Sequence, residues 1–373
     1  SDSYVPWQEQ SFPGLLGNVT AGRICNRLDL GGTNCVVDAA CASSISAIHM
    51  ATMDLASGRC DMAISGGIDA FNDIFMYMCF SKTPALSPTG DSRPFSIEGD
   101  GTILGEGVGV LILKRLDDAR RDRDQIYAVI KGIGASSDGG RNAIYAPSAE
   151  GQTRALQSAY AHAGVRPGTI ELLEAHGTGT PVGDQVEIDA LTSVYAKEHD
   201  RTWCALGSVK SMIGHTKAAA GVAGIIKTVL ALKHKVLPPS IKVDRPLASI
   251  MPGRAPVYLN TFLRPWVSHR DHPRRAAVSA FGFGGSNFHC VLEESESTKS
   301  EPDWSGDIQI VALSGTSRKL LLEGARNFRA VLFDASSEDH RWSRFRRHAY
   351  LTRQAFSQKD SHRLVMVVSR EQI

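Results

Sequence analysis

Charge of one sign is not in excess in this 373-residue chain: 41 Lys and Arg face 39 Asp and Glu, a formal net charge of +2. That balance excludes any global pull toward nucleic acid or an anionic membrane, so a charged partner must be met by a local patch. Cysteine is scarce and unpatterned. The seven thiols, at positions 25, 35, 41, 60, 79, 204 and 290, form no C-x-x-C pair, and no signal-like apolar segment opens the chain. A reducing cytosol suits such thiols, most of them simply buried. Long apolar runs are missing too. The longest, Ala218 to Leu232, is broken by Lys227 and two glycines, so it reads as a buried helix rather than a membrane span. Several motifs are absent: G-x-x-x-x-G-K-[ST], the G-x-S-x-G elbow of serine hydrolases, and any H-x-x-x-H pair among the twelve histidines. No metal site is expected.

What is present is a core-forming composition, 42% hydrophobic and 21% charged, enough for one large domain or two smaller ones. "TNCVV" (33–37) reads as a short buried strand, followed by a helix from Cys41 to about Ser57 with Ile45, Ile48, Met53 and Leu55 at near-helical spacing. Further strands are expected at "MAISGG", "GVGVLILKRL", "YAVIKGIGAS", "IELLEAH" and "CALGSV". Helices are expected over about 150–164, in "QVEIDALTSVY" and in "TKAAAGVAGIIKTVLALKH". "RAAVSAFGFGGSNFHCVLEE" predicts two strands around a glycine-rich bend. Alternating strands and helices imply an α/β core with both sheet faces covered. The polar stretch 294–306 reads as a linker between a first domain, 1–293, and a small α/β unit, 307–373. In that unit "RWSRFRRHAYLTRQ" is basic with interleaved aromatics; with a near-neutral total it reads as a solvated face or a docking surface for an acidic partner.

Four stretches carry candidate chemistry. In "VVDAACASSISAIHMA" Cys41 sits where a helix begins, and the positive end of a helix or a nearby imidazolium lowers a thiol pKa. Taken alone, a cysteine there is ordinarily a small core residue. His176 ends a strand in "EAHGTGTPVGDQVE", accessible to a ligand or else capping a turn. Lys210 and His215 lie between a strand and a helix of small residues that must pack closely, leaving a rigid loop. "SAFGFGGSNFH" places three glycines around Phe281 and Phe283, where backbone amides can form half of an oxyanion hole or merely a tight turn. "GEGVGV" lacks dinucleotide spacing and precedes a strand, so it reads as close backbone packing.

In this order, "DAACASS", "EAHGTGT", "KSMIGH" and "GFGGSN" resemble the β-ketoacyl synthase family of the thiolase-like fold, a layered α-β-α-β-α arrangement. The resemblance covers about Ser11 to Glu293. With "WQEQSFPGLLGN" and "FMYMCFSKTPALS" it is most similar to ketosynthases of polyunsaturated fatty acid synthases and related iterative type I polyketide synthases. The tail resembles the start of the linker domain that leads to an acyltransferase.

The resemblance implies Cys41 as nucleophile, His176 and His215 as paired catalytic histidines and Lys210 as active-site lysine. Asp184 and Glu187 support the first histidine's loop, Thr178 and Thr180 line a phosphopantetheine channel, Phe281 is a gate, and the amides of Cys41 and Phe283 form the oxyanion hole. It also implies a decarboxylative condensation of malonyl carrier protein with an acyl chain on Cys41, with no metal or redox cofactor. The phosphopantetheine arm of an acyl carrier protein serves as substrate carrier. Implied partners are that carrier protein, malonyl and acyl thioesters, adjacent acyltransferase and other synthase domains, and a second copy in a homodimer. Two departures, "FS" at Phe95 and Ser96 in place of "FD" and Gly224 where free-standing enzymes carry glutamate, point to the multidomain type. The family places on the order of a hundred residues ahead of the first motif, so the chain is expected to lack part of its sheet and dimer surface.

Rival readings are a non-decarboxylating thiolase, with Cys290 as second cysteine, a non-catalytic partner resembling a chain-length factor, and a fragment that folds only with its other half. Two histidines in these settings weigh against the first, and the presence of Cys41 against the second.

Overall fold

The computed structural model describes residues 6–140, 143–199, 201–251, 253–267, 269, 271–295, 306–332 and 338–373. Two short helices, α1 (Ser11–Leu15) and α2 (Val19–Leu28), open the described chain. The expected strand at 33–37 does not form. The segment pairs with no other strand, and Val36 and Cys35 are exposed; β-branched residues favour a strand only where a neighbour completes the ladder. The helix that follows does form, as a 3-10 turn over Ala40–Ala42 leading into α3 (Ser43–Ala56).

The next elements are β1 (Met62–Asp69), α4 (Ile74–Lys82), β2 (Gly107–Lys114), α5 (Leu116–Arg121), β3 (Ala128–Ser137), α6 (Ala149–Ala163), β4 (Leu172–Glu174) and α7 (Pro181–Tyr195). They are followed by β5 (Cys204–Gly207), α8 (Lys210–Ile213), α9 (Ala220–His234), β6 (Val236–Leu237), β7 (Val257–Leu259), β8 (Arg264–Pro265), β9 (Arg275–Gly282) and β10 (Ser286–Glu294). Helix α4 went unread in the sequence. Its signal is Asp73, whose side chain accepts the Met76 amide at 2.9 Å and caps the first turn.

Six strands form one mixed sheet in the order β3-β10-β9-β4-β5-β7, parallel from β9 through β7 and antiparallel at β10. Its strands read as continuous apolar runs because both faces are covered. Leu173, Ala277 and Val291 meet Leu156, Ile188 and Leu191 of α6 and α7 on one face. Leu172, Ala276, Val278 and Cys290 meet Ile45 and Ile48 of α3 and Val222 and Ile225 of α9 on the other. Each such large side chain contributes roughly 1.5–3 kcal/mol by leaving water. The small residues of α9 are needed here: a Cβ on Gly221 would lie 2.5 Å from Ile45 Cγ1.

Helices α3 and α9 also pack on the antiparallel pair β1–β2, giving successive helix, sheet, helix and sheet layers. The face of that pair turned away from them is apolar and exposed: Ile64, Ile68, Val108, Val110 and Ile112.

The chain divides into two compact units, Ser1–Ser297 and Thr298–Ile373. The predicted linker lies largely outside the described residues. In the second unit β11 (Ile308–Gly315) pairs antiparallel with β12 (His362–Ser369), with α10 (Arg318–Leu332) and α11 (Glu338–Ala355) packed on the pair. The basic, aromatic stretch is α11. Trp342, Phe345 and Ala349 are buried with Val311 and Phe328, while Arg344 and Arg347 face outward, so Trp342 and Phe345 are core residues unavailable for base stacking.

Candidate active site

Cys41 occupies the 3-10 turn at the head of α3. Ala40 before it has φ 48°, a left-handed conformation that costs a residue with a Cβ. Side chains on either side hold it. Asp38 Oδ1 accepts the Ala40 amide at 2.8 Å; Ser43 Oγ accepts the Ala39 amide at 2.9 Å and donates to the Ala40 carbonyl at 2.6 Å. Gly282, at the end of β9, closes against this turn so tightly that a Cβ there would lie 2.1 Å from the Ala39 oxygen. The next residue along the bend, Phe283, thereby offers its amide to the thiol.

Burial pushes the Cys41 thiol up from its ordinary value; the Lys210 ammonium and the backbone amides of Phe283 and Cys41 itself pull it back. The expected lowering by a helix start is therefore outweighed by desolvation. Those two amides are the pair that the family resemblance implies for an oxyanion hole.

His176 follows β4, where the chain leaves the sheet. Its loop is held by two buried carboxylates on α7, and both oxygens of each are used as acceptors. Glu187 takes the amides of His176 and Gly177, each at 2.8 Å; Asp184 takes those of Phe95 at 2.6 Å and Gly179 at 3.1 Å. Burial pushes both carboxyls up, and the amides and Lys210 oppose it. Lys210 is 3% exposed and does not line the cavity; its ammonium donates to the His176 carbonyl. It sits behind the cavity-lining groups.

His215 lies between α8 and α9. The two imidazoles stand 5.4 Å apart, centroid to centroid, at 81°. The Phe281 amide donates to His176 Nδ1 at 3.4 Å and the Lys217 amide to His215 Nδ1 at 3.1 Å. With Nδ1 accepting, each neutral ring carries its hydrogen on Nε2. Burial, then the Lys210 charge, holds both well below the ordinary imidazole value, so both are neutral near pH 7.

One cavity of about 410 Å³ brings together Cys41, His176, His215, Thr178, Thr180, Asp184, Glu187, Phe281 and Phe283. Thr178 and Thr180 hydrogen-bond each other at 2.8 Å. Phe281 is buried against His176, ring centroids 5.6 Å apart, while Phe283 is exposed and stacked on Phe80 at 6.4 Å. Sequence reading missed Phe80, Ile144 and Tyr145 as apolar walls, since nothing local marks a side chain as facing a cavity. Among the described residues no cluster of three His, Cys, Asp or Glu is arranged to hold a metal ion, and no helix is long and apolar enough to cross a membrane. A thiol, two amides at its sulfur and two N–H-bearing imidazoles in one cleft suit nucleophilic acyl transfer with stabilisation of oxyanions.

Residues 4–119 match the family model for the beta-ketoacyl synthase N-terminal domain, 127–244 its C-terminal domain, and 254–341 the ketoacyl-synthetase C-terminal extension. The chain is 50% identical over 300 residues to one polypeptide of the polyunsaturated fatty acid synthase of a Thraustochytrium species, covering 79% of the chain and 11% of that polypeptide. It is 42% identical over 299 residues to polyketide synthase PksL of Bacillus subtilis, covering 79% of the chain and 7% of the synthase. Among solved structures, the ketosynthase from module 6 of the bacillaene synthase of Bacillus subtilis matches with a TM-score of 0.74 at 36% identity, over 98% of this chain and 64% of that one. The chain thus spans about a tenth of the multidomain relatives and under two thirds of the solved ketosynthase.

Proposed function

The chain belongs to the β-ketoacyl synthase family and has its thiolase-like fold, and from that premise we propose that it catalyses decarboxylative condensation as an acyltransferase. The carrying observation is the convergence of Cys41, its own amide, the Phe283 amide and two neutral histidines on one cavity. The Cys41 sulfur attacks an acyl thioester; its bond to the acyl carbon forms, the carrier thiol leaves with the proton, and the two amides hold the oxyanion between. A malonyl thioester then loses carbon dioxide. The electron pair of the broken C–C bond passes into a thioester enolate, whose oxygen receives hydrogen bonds from Nε2–H of His176 and His215. The enolate carbon attacks acyl-Cys41, the C–S bond breaks, and the freed thiolate takes a proton from water.

Asp184, Glu187 and Lys210 act by holding the His176 loop. Thr178 and Thr180 line the path of a phosphopantetheine arm on an acyl carrier protein, and Phe281 gates the cavity. The 50% identity to a polyunsaturated fatty acid synthase polypeptide supports that type. On the same reading the protein works in the cytoplasm as a homodimer beside an acyltransferase and other synthase domains. The first domain comprises 1–293, and 307–373 begins the ketosynthase-acyltransferase linker domain. A thiolase's second cysteine finds no support, because Cys290 is fully buried within β10 and lines no part of the cavity.

Malonyl thioester supplied to the chain should release carbon dioxide, and His176→Ala or His215→Ala should slow release about 10²–10⁴-fold. Release that neither change affects would sink the assignment.

A further inference from the structure

Lys217 belongs to none of the motifs, yet its backbone and side chain are both committed next to His215. It is one of seven non-glycine residues with positive φ among the described residues, at 47°, and this conformation turns its amide onto His215 Nδ1 at 3.1 Å. The side chain is buried and its ammonium meets three acceptors: Asp69 Oδ1 at 3.0 Å, the Gly105 carbonyl at 3.2 Å and Asn72 Oδ1. Asp69 Oδ2 accepts the amide of Ala218 at 3.3 Å. The peptide after Lys217 is thus tied to the end of β1 from both the side chain and the main chain. The His215 carbonyl accepts the Gly105 amide at 3.0 Å, so both sides of the histidine turn are anchored to one segment.

We propose that Lys217 is a positioning residue for His215: clamped by Asp69, Asn72 and Gly105, it holds the left-handed turn whose amide fixes the imidazole with hydrogen on Nε2. Its ammonium adds a second effect, opposing protonation of the ring alongside Lys210. Of the other ionisable groups, His176, Cys41, Asp184 and Glu187 line the same cavity as His215, Asp69 pairs with Lys217, and Glu106, next to Gly105, is exposed. None of them supplies a hydrogen bond to Nδ1. The proposal rests on the condensing function above.

The test compares Lys217→Met, Lys217→Arg and the milder Asn72→Ala in the full chain. Lys217→Met should slow malonyl decarboxylation about tenfold while Cys41 acylation changes less than about twofold. The acid limb of its pH–rate profile should move to higher pH, since losing the cation makes the ring easier to protonate. Lys217→Arg should restore both, and Asn72→Ala should shift both in the Lys217→Met direction by less. A readout independent of turnover is ¹⁵N NMR of histidine-labelled protein, with His215 identified by its loss in His215→Ala. Wild type should show Nε2 protonated, and Lys217→Met a mixture of tautomers with a raised titration midpoint. Unchanged tautomer and midpoint in folded Lys217→Met, or in Asn72→Ala if Lys217→Met does not fold, would overturn the proposal. Absent decarboxylation by wild type would instead count against the condensing function, with the NMR result still deciding Lys217.

Discussion

Two regions of the first unit enclose thiols, and they treat them differently. Within the six-stranded sheet, Cys204 and Cys290 are fully buried with apolar neighbours on their faces; burial alone pushes Cys290 up to about 12, and burial together with the Glu171 charge pushes Cys204 higher still. At the head of α3, burial also raises Cys41, yet an ammonium and two amides oppose it and one side opens on a cavity. Cys41 is partly exposed where the other two are fully buried, and what further sets it apart is the charge and the donors aimed at its sulfur, which come from α8, the bend after β9 and the turn itself.

The contrast is broken most severely at the sulfur. Cys41→Ala should abolish the covalent acyl adduct, seen by intact-protein mass spectrometry after incubation with an acyl thioester, and slow condensation by about 10³-fold or more. Cys290→Ala should leave the adduct intact and cost only about 1 kcal/mol in denaturant titration. Persistence of the adduct in Cys41→Ala would erase the distinction. Gly282→Ala tests the donors instead. A Cβ 2.1 Å from the Ala39 oxygen must push the Cys41 turn from the Phe283 amide, and acylation should fall about 10²-fold with the fold retained by near-UV circular dichroism.

The sheet region has its own, smaller signature beside Cys290. His289 is fully buried, hydrogen-bonded to Ser279 Oγ and Tyr160 Oη at 2.9 Å each, and desolvation lowers its pKa to about 3. The native ring stays neutral while the unfolded one takes a proton below about 6.5. Stability is then lost as pH falls from about 6.5 toward 3, roughly 2 kcal/mol of it between pH 7 and pH 5. Urea midpoints at the two pH values measure it, and a His289→Asn variant should show that much less pH dependence.

Much of the site was legible because its members lie at element ends, where composition changes abruptly: Cys41 after Asp38-Ala-Ala, His176 before Gly-Thr-Gly-Thr, His215 before a run of alanines, Phe283 among glycines. The helices and strands of the large sheet were legible for a similar reason, each carrying its own periodicity. Residues 33–37 show the limit. Their β-branched side chains predicted a strand, but strand formation depends on a ladder partner, which local sequence does not contain. In α11 the interleaved aromatics and arginines looked like one surface until helical geometry turned Trp342 and Phe345 inward.

By itself the sequence determined the α/β class, the family and which side chains are candidates for the chemistry, since these depend on residue type, order and local period. Only the tertiary structure decided how they are poised. It set Lys210 behind His176 rather than in the cavity, closed Gly282 on Ala39 so that an amide reaches the thiol, and gave both histidines Nδ1 partners that put their hydrogens on Nε2. Each of those depends on donors brought from distant parts of the chain, and on burial that exists only once the layers have packed.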